Sequence, residues 1–479
     1  MCMDQYQRLF SCYRYPGLGE DRQEVYPPTG DDDHATVVCR GRYFSLQLRA
    51  GNEWLSEEDC FSQLRRIRRK AVEAEEANGD DDYPRVGYFT TNQRDLWAKH
   101  RQHLLENVTN QESLKRIETS LFLVCLDKPV PKVADRNDYT DDQRLRLMVH
   151  GGEIDENAYN RWYDKTMQFI VGEDGACGLN YEHSCAEAIV VFQLLDYFSK
   201  YMKAVKQLKL KRMSSICDLP EPQCLKFELD AESRQHLEEA KQNLVKLIKD
   251  TDCHVVRFNE FGRNFPKSCG MSPDAFMQVC LQLTYYRLYG KVVSTYESAS
   301  IRRFKGGRVD NIRGCSVAAL NMAKAFVDKD SKATDQQKLN LIWTAVEDQT
   351  EYMLRTILGK GIDNHLMGLK ASCAEIGIDP LPDFFTDPLY LRAHHFTQST
   401  SQVTTPDDGF IGYGAVVPDG YGVAYNLHPD SILICIGSFF SCGETSTKKY
   451  EEALKQSLRE MHDLVSTTKL VSPRDRLYS

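Results

Sequence analysis

His183 stands four residues ahead of Glu187 in the stretch Tyr181-Glu182-His183-Ser184-Cys185-Ala186-Glu187. An imidazole titrates closest to neutrality of all side chains, so one at the end of an element is a candidate general base, with a carboxylate one helical turn on as its orienter. The chain has 12 histidines, and the same position also suits a structural or exposed ring. A second stretch, Phe261-Gly262-Arg263-Asn264-Phe265-Pro266-Lys267, is read as the end of a strand and turn. It sets two cations four apart just before Ser272-Pro273-Asp274, an N-cap serine with proline at the first helical position. Countercharge ahead of a helix N-terminus suits phosphate, although an ordinary surface turn before a good cap reads the same way. A third stretch, Gln398-Ser399-Thr400-Ser401-Gln402-Val403, clusters small hydroxyls after a strand expected to end at Phe396. If that strand continues, Ser399 and Ser401 share a face and suit a developing oxyanion; a serine-rich turn is the alternative. There is no G-x-S-x-G elbow, which disfavours a serine hydrolase.

These residues need elements to place them. Periodicity over the 479 residues alternates helices with short strands, an α/β or α+β pattern without internal repeats. Helices are expected from the Ser56 cap to Asn78-Gly79, over Ala231 to Lys249, and at about 273–289, 315–328, 335–357 and 447–465. A further apolar, helix-like run begins at Ala186, so His183 sits where a strand passes into a helix. Strands are expected at His254 to Phe258, Leu391 to Phe396, Gly412 to Val417, Gly422 to Tyr425 and Ile432 to Phe439. The linker chemistry of Cys217-Asp218-Leu219-Pro220-Glu221-Pro222 sets a boundary near 218–225, giving domains 1–220 and 221–479. Arg65, Arg66, Arg68, Arg69 and Lys70 form a basic run whose expected partners are Glu73, Glu75 and Glu76, which reads as a solvated helix face.

With 60 Lys+Arg against 69 Asp+Glu, the net charge of −9 argues against a nucleic-acid or lipid-surface protein. The hydrophobic share of 42% suffices for packed cores, and the longest apolar runs are too short for a membrane span. Sixteen scattered cysteines without a signal peptide read as reduced intracellular thiols. The terminal Leu477-Tyr478-Ser479 is no organelle address, so cytoplasm is expected.

Taken together, and with Asp4-Gln5-Tyr6, Arg8-Leu9-Phe10-Ser11, Asn160-Arg161-Trp162-Tyr163-Asp164-Lys165 and Val416-Val417-Pro418-Asp419-Gly420-Tyr421-Gly422, the chain resembles the carnitine/choline acyltransferase family, its choline-acetylating branch most closely. The resemblance implies two chloramphenicol-acetyltransferase-like α/β domains with the active-site tunnel between them, no metal and no acyl-enzyme. It implies that His183, with Glu187 in the H-x-x-x-D/E context, deprotonates an acceptor hydroxyl that attacks acetyl-CoA directly. Ser401, matching the third residue of an S-T-S motif, would meet the oxyanion, with Ser399 lining the acceptor pocket. The stretch Lys267 to Asp274, including Ser272, matches the CoA segment; Arg263 stands where the family has a first lysine, and Arg302 and Gln402 match further CoA contacts.

For the acceptor, carnitine carries a carboxylate that choline lacks. Carnitine enzymes have arginine and threonines where this chain has Asn364, Val309 and Asn311, so no carboxylate partner remains. Asp310 and Tyr413 favour a cation through charge and cation–π attraction, and Tyr296 and Ser298 line the pocket in both branches. Choline and acetyl-CoA are therefore the expected partners, with no permanently bound cofactor, no nucleic acid, and a monomeric state. Family members carry a stretch upstream of the residues matching Asp4; without it the pocket would be open on one side. Carnitine O-acetylation, or a truncated non-catalytic protein that binds CoA, are the alternatives.

Overall fold

In the computed structural model, which describes residues 1–30, 32–78, 83–133, 136, 138–207, 219–405 and 407–468, the chain opens on a hairpin of β1 (Cys12–Tyr15) and β2 (Arg22–Val25). A second hairpin joins β3 (His34–Cys39) to β4 (Arg42–Gln47). Its two-residue turn has Arg40 at φ 53° and Gly41 at φ 75°. Positive φ at both central positions matches the right-handed strand twist, and glycine takes it without strain. There follow the ribbon β5 (Arg49–Ala50) and β6 (Glu53–Trp54), α1 (Glu57–Asn78), α2 (Arg94–Leu104), α3 (Val108–Thr119), β7 (Leu123–Asp127), α4 (Asp141–His150), β8 (Met167–Gly172), β9 (Cys177–Tyr181), α5 (Ala188–Gln207), β10 (Gln223–Cys224) and α6 (Ala231–Asp250). The six-stranded sheet runs β10-β4-β3-β7-β8-β9, parallel across β3, β7 and β8 and antiparallel elsewhere.

Strand alternation sorts the core. Val37 and Cys39 of β3 join Ile67 and Ala71 of α1 on one face, while Val38 faces a cluster with Trp97, Trp162 and Leu244 on the other. The segment Asn160–Lys165 supplies the polar part of that second core. Arg161 donates to both oxygens of Asp127 at 3.0 and 2.8 Å, and the Trp162 indole donates to the Tyr13 hydroxyl at 2.9 Å. Asp164 accepts from the Trp97 indole and from Arg94, each at 2.6 Å.

The second half continues with β11 (Thr251–Phe258), α7 (Asn264–Ser268), α8 (Pro273–Tyr289), β12 (Thr295–Ser300), β13 (Val309–Asn311), α9 (Val317–Val327), α10 (Asp335–Arg355), α11 (Asp363–Glu375), α12 (Asp383–Thr386), α13 (Pro388–His394), β14 (Gln398–Gln402), β15 (Tyr421–Leu427), β16 (Ile432–Phe439) and α14 (Thr447–Thr467). Its sheet runs β11-β16-β15-β14-β12-β13. β14 is parallel to both neighbours, β12 and β15, and the remaining pairs are antiparallel. Helix α8 is apolar on nearly every side because it packs against α9, α10 and α14 and shares their core with β15 and β16.

Backbone contacts divide the chain into two compact units, one of Met3–Asp250 and one from Thr251 on that also takes Met1 and Cys2. The linker-like stretch ending at Pro222 is therefore not where the units part. Leu225, Phe227 and Leu229 enter the first core, and α6 buries Ala240 and Leu244 there, so the break falls after α6. Two expected strands are also replaced. Leu391 to Phe396 is mostly helix α13, started by Asp387, whose carboxylate accepts the Leu389 N–H at 2.7 Å, and by Pro388 at the first position. Gly412 to Val417 pairs with no strand. The basic run of α1 is solvated as expected, yet among the described residues only its Arg69–Glu73 pair is spaced i,i+4. Arg68 meets Glu173, and Lys70 meets Glu221. The expected helix stop at Gly79, the linker residues Cys217 and Asp218, and Leu477-Tyr478-Ser479 lie outside the described residues. No described helix is long and apolar enough to cross a membrane.

Buried histidines make the first unit sensitive to acid. His150 stays close to the carbonyl of Gly152, its Nδ1 at 2.7 Å, and burial pushes its pKa down to about 4 from 6.5. Between pH 6.5 and 4 the unfolded chain binds a proton that the folded chain refuses, so stability falls on acidification. At 1.36 kcal/mol per pKa unit, His150 accounts for roughly 3 kcal/mol over that window. Urea denaturation of wild type and His150→Gln across this range is expected to give curves that converge as pH falls; parallel curves would show that His150 does not titrate as described.

Candidate active site

His183 lies on the turn between β9 and α5, which starts at Ala188. Its Nε2 is 3.4 Å from the Glu187 carboxylate, within ion-pair range but longer than an ordinary hydrogen bond. The imidazole is 57% exposed while the Glu187 side chain is 8% exposed, so the acid is the fixed member and the ring the accessible one. The turn is tied down at several points. The Glu187 N–H donates to Gln5 Oε1 at 2.8 Å, the Glu182 N–H donates to the Thr166 carbonyl at 2.9 Å, and Arg14 donates to Glu182 at 3.1 Å. The Tyr181 ring is 5.5 Å from the His183 ring. Expectation and geometry agree on Glu187 as the neighbouring acid; Gln5 and Arg14, which hold the turn, have no local sequence signature.

The other candidate site residues, from Arg263 to Tyr413, fall in the second unit. Arg263 is the residue just before α7 and Lys267 lies in its last turn, rather than at a strand end. The Arg263 guanidinium donates to the Leu427 carbonyl at 3.3 Å, Lys267 is exposed, and among the described residues neither pairs with a carboxylate. Ser272 caps α8 as expected, its hydroxyl accepting the Ala275 N–H at 3.3 Å, with Pro273 next. Positive charge free of carboxylates ahead of a capped helix is an anion-receptive arrangement. Arg302 is buried and donates to the Cys2 carbonyl through Nε at 3.3 Å and Nη2 at 3.1 Å.

The strand expected to continue past Phe396 instead begins at Gln398, and its alternation sends Ser399 and Ser401 to one face and Thr400 to the other. Thr400 donates to the Tyr296 carbonyl at 2.8 Å and contacts Gln278 of α8. The half-buried Ser401 hydroxyl has no hydrogen-bond partner among the described residues, so a donor there is uncommitted. Gln402 is exposed at the strand end, and the Tyr413 hydroxyl lies 3.0 Å from the carbonyls of Ser399 and Val423.

Beneath this strand runs a polar network that the sequence did not disclose. Glu297, flanked by Tyr296 and Ser298 on β12, is buried by alternation and accepts from Gln349 at 2.6 Å. It also hydrogen-bonds Asp274, whose carboxylate accepts from Tyr425 at 2.6 Å. Burial raises the pKa of both acids, and the negative charge of Asp274 raises that of Glu297 further. Asp274 is thus engaged within the fold.

Val309, Asp310, Asn311 and Asn364 form one corner. The Asn364 side chain donates to the Val309 carbonyl at 2.7 Å, and one Asp310 oxygen accepts the backbone N–H groups of Asn311 and Asn364 at 2.8 and 3.2 Å. The Asn311 side-chain Oδ1 accepts the Glu297 N–H at 3.2 Å, and its buried Nδ2 has no hydrogen-bond partner among the described residues. The Arg313 guanidinium is committed to Asp363 and the Ala393 carbonyl. Among the described residues no cluster of three metal-ligating side chains occurs.

Residues 1–456 match the family model for choline/carnitine O-acyltransferase. The chain belongs to the choline/carnitine O-acyltransferase family. It is 42% identical over 466 residues to a choline O-acetyltransferase from Danio rerio, covering 97% of this chain and 71% of that protein. It is 39% identical over 471 residues to a carnitine O-acetyltransferase from Mus musculus, covering 97% and 72%. Among solved structures a chloramphenicol acetyltransferase is similar at TM-score 0.25 and 8% identity, over 47% of this chain and 94% of that one. This choline/carnitine O-acyltransferase is accordingly an acyl-transferring enzyme with an α/β architecture built on two mixed sheets.

Replacing Asn364 by alanine removes its bond to the Val309 carbonyl. Urea denaturation is expected to register a loss of about 1 kcal/mol; no loss would mean that the amide does not close this corner.

Proposed function

We propose that this family member is a choline O-acetyltransferase, moving acetyl from acetyl-CoA to choline by direct attack. His183 is the general base. Its imidazole accepts the choline hydroxyl proton, with Glu187 as its orienting carboxylate. The alkoxide oxygen bonds to the thioester carbonyl carbon, and the oxyanion that develops is met by the Ser401 hydroxyl. The C–S bond then breaks, and the CoA thiolate takes the proton back from His183. Arg263 and Lys267 supply countercharge for the CoA phosphates near the capped start of α8.

The observation that carries the choice of acceptor is the corner around Asn364. Position 364 holds an amide closed on a carbonyl, and Arg313 beside it is already paired, so a carnitine carboxylate would be buried without a cation. Choline needs only room for its trimethylammonium group, with Asp310 and Tyr413 as the favourable charge and ring. Acetylcholine is then the product.

Parallel steady-state assays with acetyl-CoA and either acceptor are expected to give a higher kcat/KM for choline. A preference for carnitine would overturn the acceptor assignment, and turnover of neither would overturn the enzymatic one. Lys267→Ala is expected to raise KM for acetyl-CoA more than for dephospho-acetyl-CoA; equal effects would place the lysine away from the 3′-phosphate. Ser401→Ala is expected to lower kcat by about 10² to 10³, and an unchanged kcat would remove Ser401 from the oxyanion site.

A further inference from the structure

Helix α8 carries a line of polar side chains through a largely apolar core. Asp274, Gln278 and Gln282 are spaced four apart, which puts them on one side of the helix, and each reaches the sheet. Asp274 accepts from the Tyr425 hydroxyl of β15 at 2.6 Å. Gln278 is 1% exposed and donates through Nε2 to that same hydroxyl at 2.8 Å and to the Thr400 hydroxyl of β14 at 3.1 Å. Gln282 donates to the Thr295 hydroxyl of β12 at 3.0 Å. A methionine would fill the volume of Gln278 without the cost of desolvating an amide, so the core alone does not call for glutamine there.

The sheet divides in front of this line. β12 and β14 pair at Thr295–Gln398, Tyr296–Ser399 and Glu297–Thr400 and no further. Beyond that rung β12 runs on to Ser300 paired with β13, and β14 runs on to Gln402 paired with β15. Thr400 is thus the last residue of β14 held by strands on both sides, and Ser401 is the first held on one. At this rung the Thr400 hydroxyl donates to the Tyr296 carbonyl at 2.8 Å while it accepts from Gln278, so α8, β12 and β14 are bonded at a single point. Alternation sends Thr400 to the helix face and Ser401 to the other, and Gln278 therefore grips the back of the strand whose front carries the Ser401 hydroxyl.

We propose that Gln278 is a positioning residue for acyl transfer, holding the forked end of β14 so that the Ser401 hydroxyl stays aimed at the developing oxyanion. Such a donor acts only when it stands about 2.7 to 3.1 Å from the oxygen it stabilises, and a strand paired on one edge is free to swing out of that range. The ladder to β15 fixes Ser401 along the sheet; the Gln278 amide, anchored on Tyr425 of the same β15, fixes the depth of β14 against α8. Gln278 exchanges no proton and acts through Ser401. The inference rests on the reading of Ser401 as the oxyanion donor.

The test is a double-mutant cycle on the full chain with Gln278→Met, Ser401→Ala and the two combined, measuring choline acetylation at saturating substrates. Gln278→Met is expected to lower kcat about tenfold while KM for choline and for acetyl-CoA moves by less than about twofold, and to slow the Ser401→Ala enzyme no further. An equal loss in both backgrounds, or a raised KM at unchanged kcat, would overturn the inference and leave the role of Ser401 standing. A wild-type kcat in Ser401→Ala would instead remove Ser401 from the oxyanion site and take the inference with it. Thr400→Val, which deletes the accepting hydroxyl at constant shape, is expected to reproduce the result and serves if Gln278→Met does not fold. Amide hydrogen exchange read by mass spectrometry makes the test independent of turnover: the peptide spanning 398–402 should exchange faster in either variant, and unchanged protection there would overturn the anchoring of β14.

Discussion

The buried ion pair between Arg161 and Asp127 is the constraint on which the His183 unit depends. A guanidinium with no exposed surface must be matched in geometry and charge or the fold pays heavily for it, and removing one partner of such a pair typically costs about 3 to 5 kcal/mol. Arg161 meets this with two bonds to Asp127 at the end of β7 and a third to the Leu147 carbonyl at 2.7 Å. The segment it anchors then runs through Trp162, Asp164 and Lys165, each bonded to a different element, to Thr166. Thr166 holds the Cys12 carbonyl with its hydroxyl and the Glu182 N–H with its own carbonyl. The turn carrying His183 is thus suspended from a chain of hydrogen-bonded buried polar groups rather than from apolar contact alone.

The second unit uses the same device. Glu297 and Asp274 remain inside because they hydrogen-bond each other and because Gln349 and Tyr425 donate to them. The network ties the first turn of α8 to β12 and, through Gln278 and Thr400, to the strand that carries Ser399 and Ser401. The segments proposed to meet CoA, the acceptor and the oxyanion therefore share one hydrogen-bonded support. The corner of Val309, Asn311 and Asn364 joins it through the Glu297 N–H.

Much of the helical framework was legible in the sequence. Helices α1, α6, α8, α9, α10 and α14 carry strong caps or sustained apolar faces, and their expected spans differ from those observed by a few residues. Leu391 to Phe396 was misread because its apolar residues suit either period, whereas Asp387-Pro388 just ahead was the better signal. Gly412 to Val417 has β-forming residues but no pairing partner, which only the tertiary fold decides. The unit boundary was hidden because proline-rich chemistry marks a break in local structure, not in packing, and α6 packs backwards. Type and spacing alone left His183, Lys267 and Ser401 open; the family resemblance singled them out. The partners that hold them (Gln5, Thr166, Glu297 and Gln349) lie far away in sequence and follow no local pattern. Arg302 and Asp310 show the converse, since their charges are drawn into bonds with Cys2 and with backbone amides that charge counting cannot anticipate.

The central claim is that His183 moves the proton, and the most direct measurement is acetyl transfer by His183→Ala at saturating choline, with acetyl-CoA binding measured separately by calorimetry. The account predicts a kcat lower by about 10² to 10⁴ with acetyl-CoA affinity unchanged. A variant that turns over at the wild-type rate would contradict it.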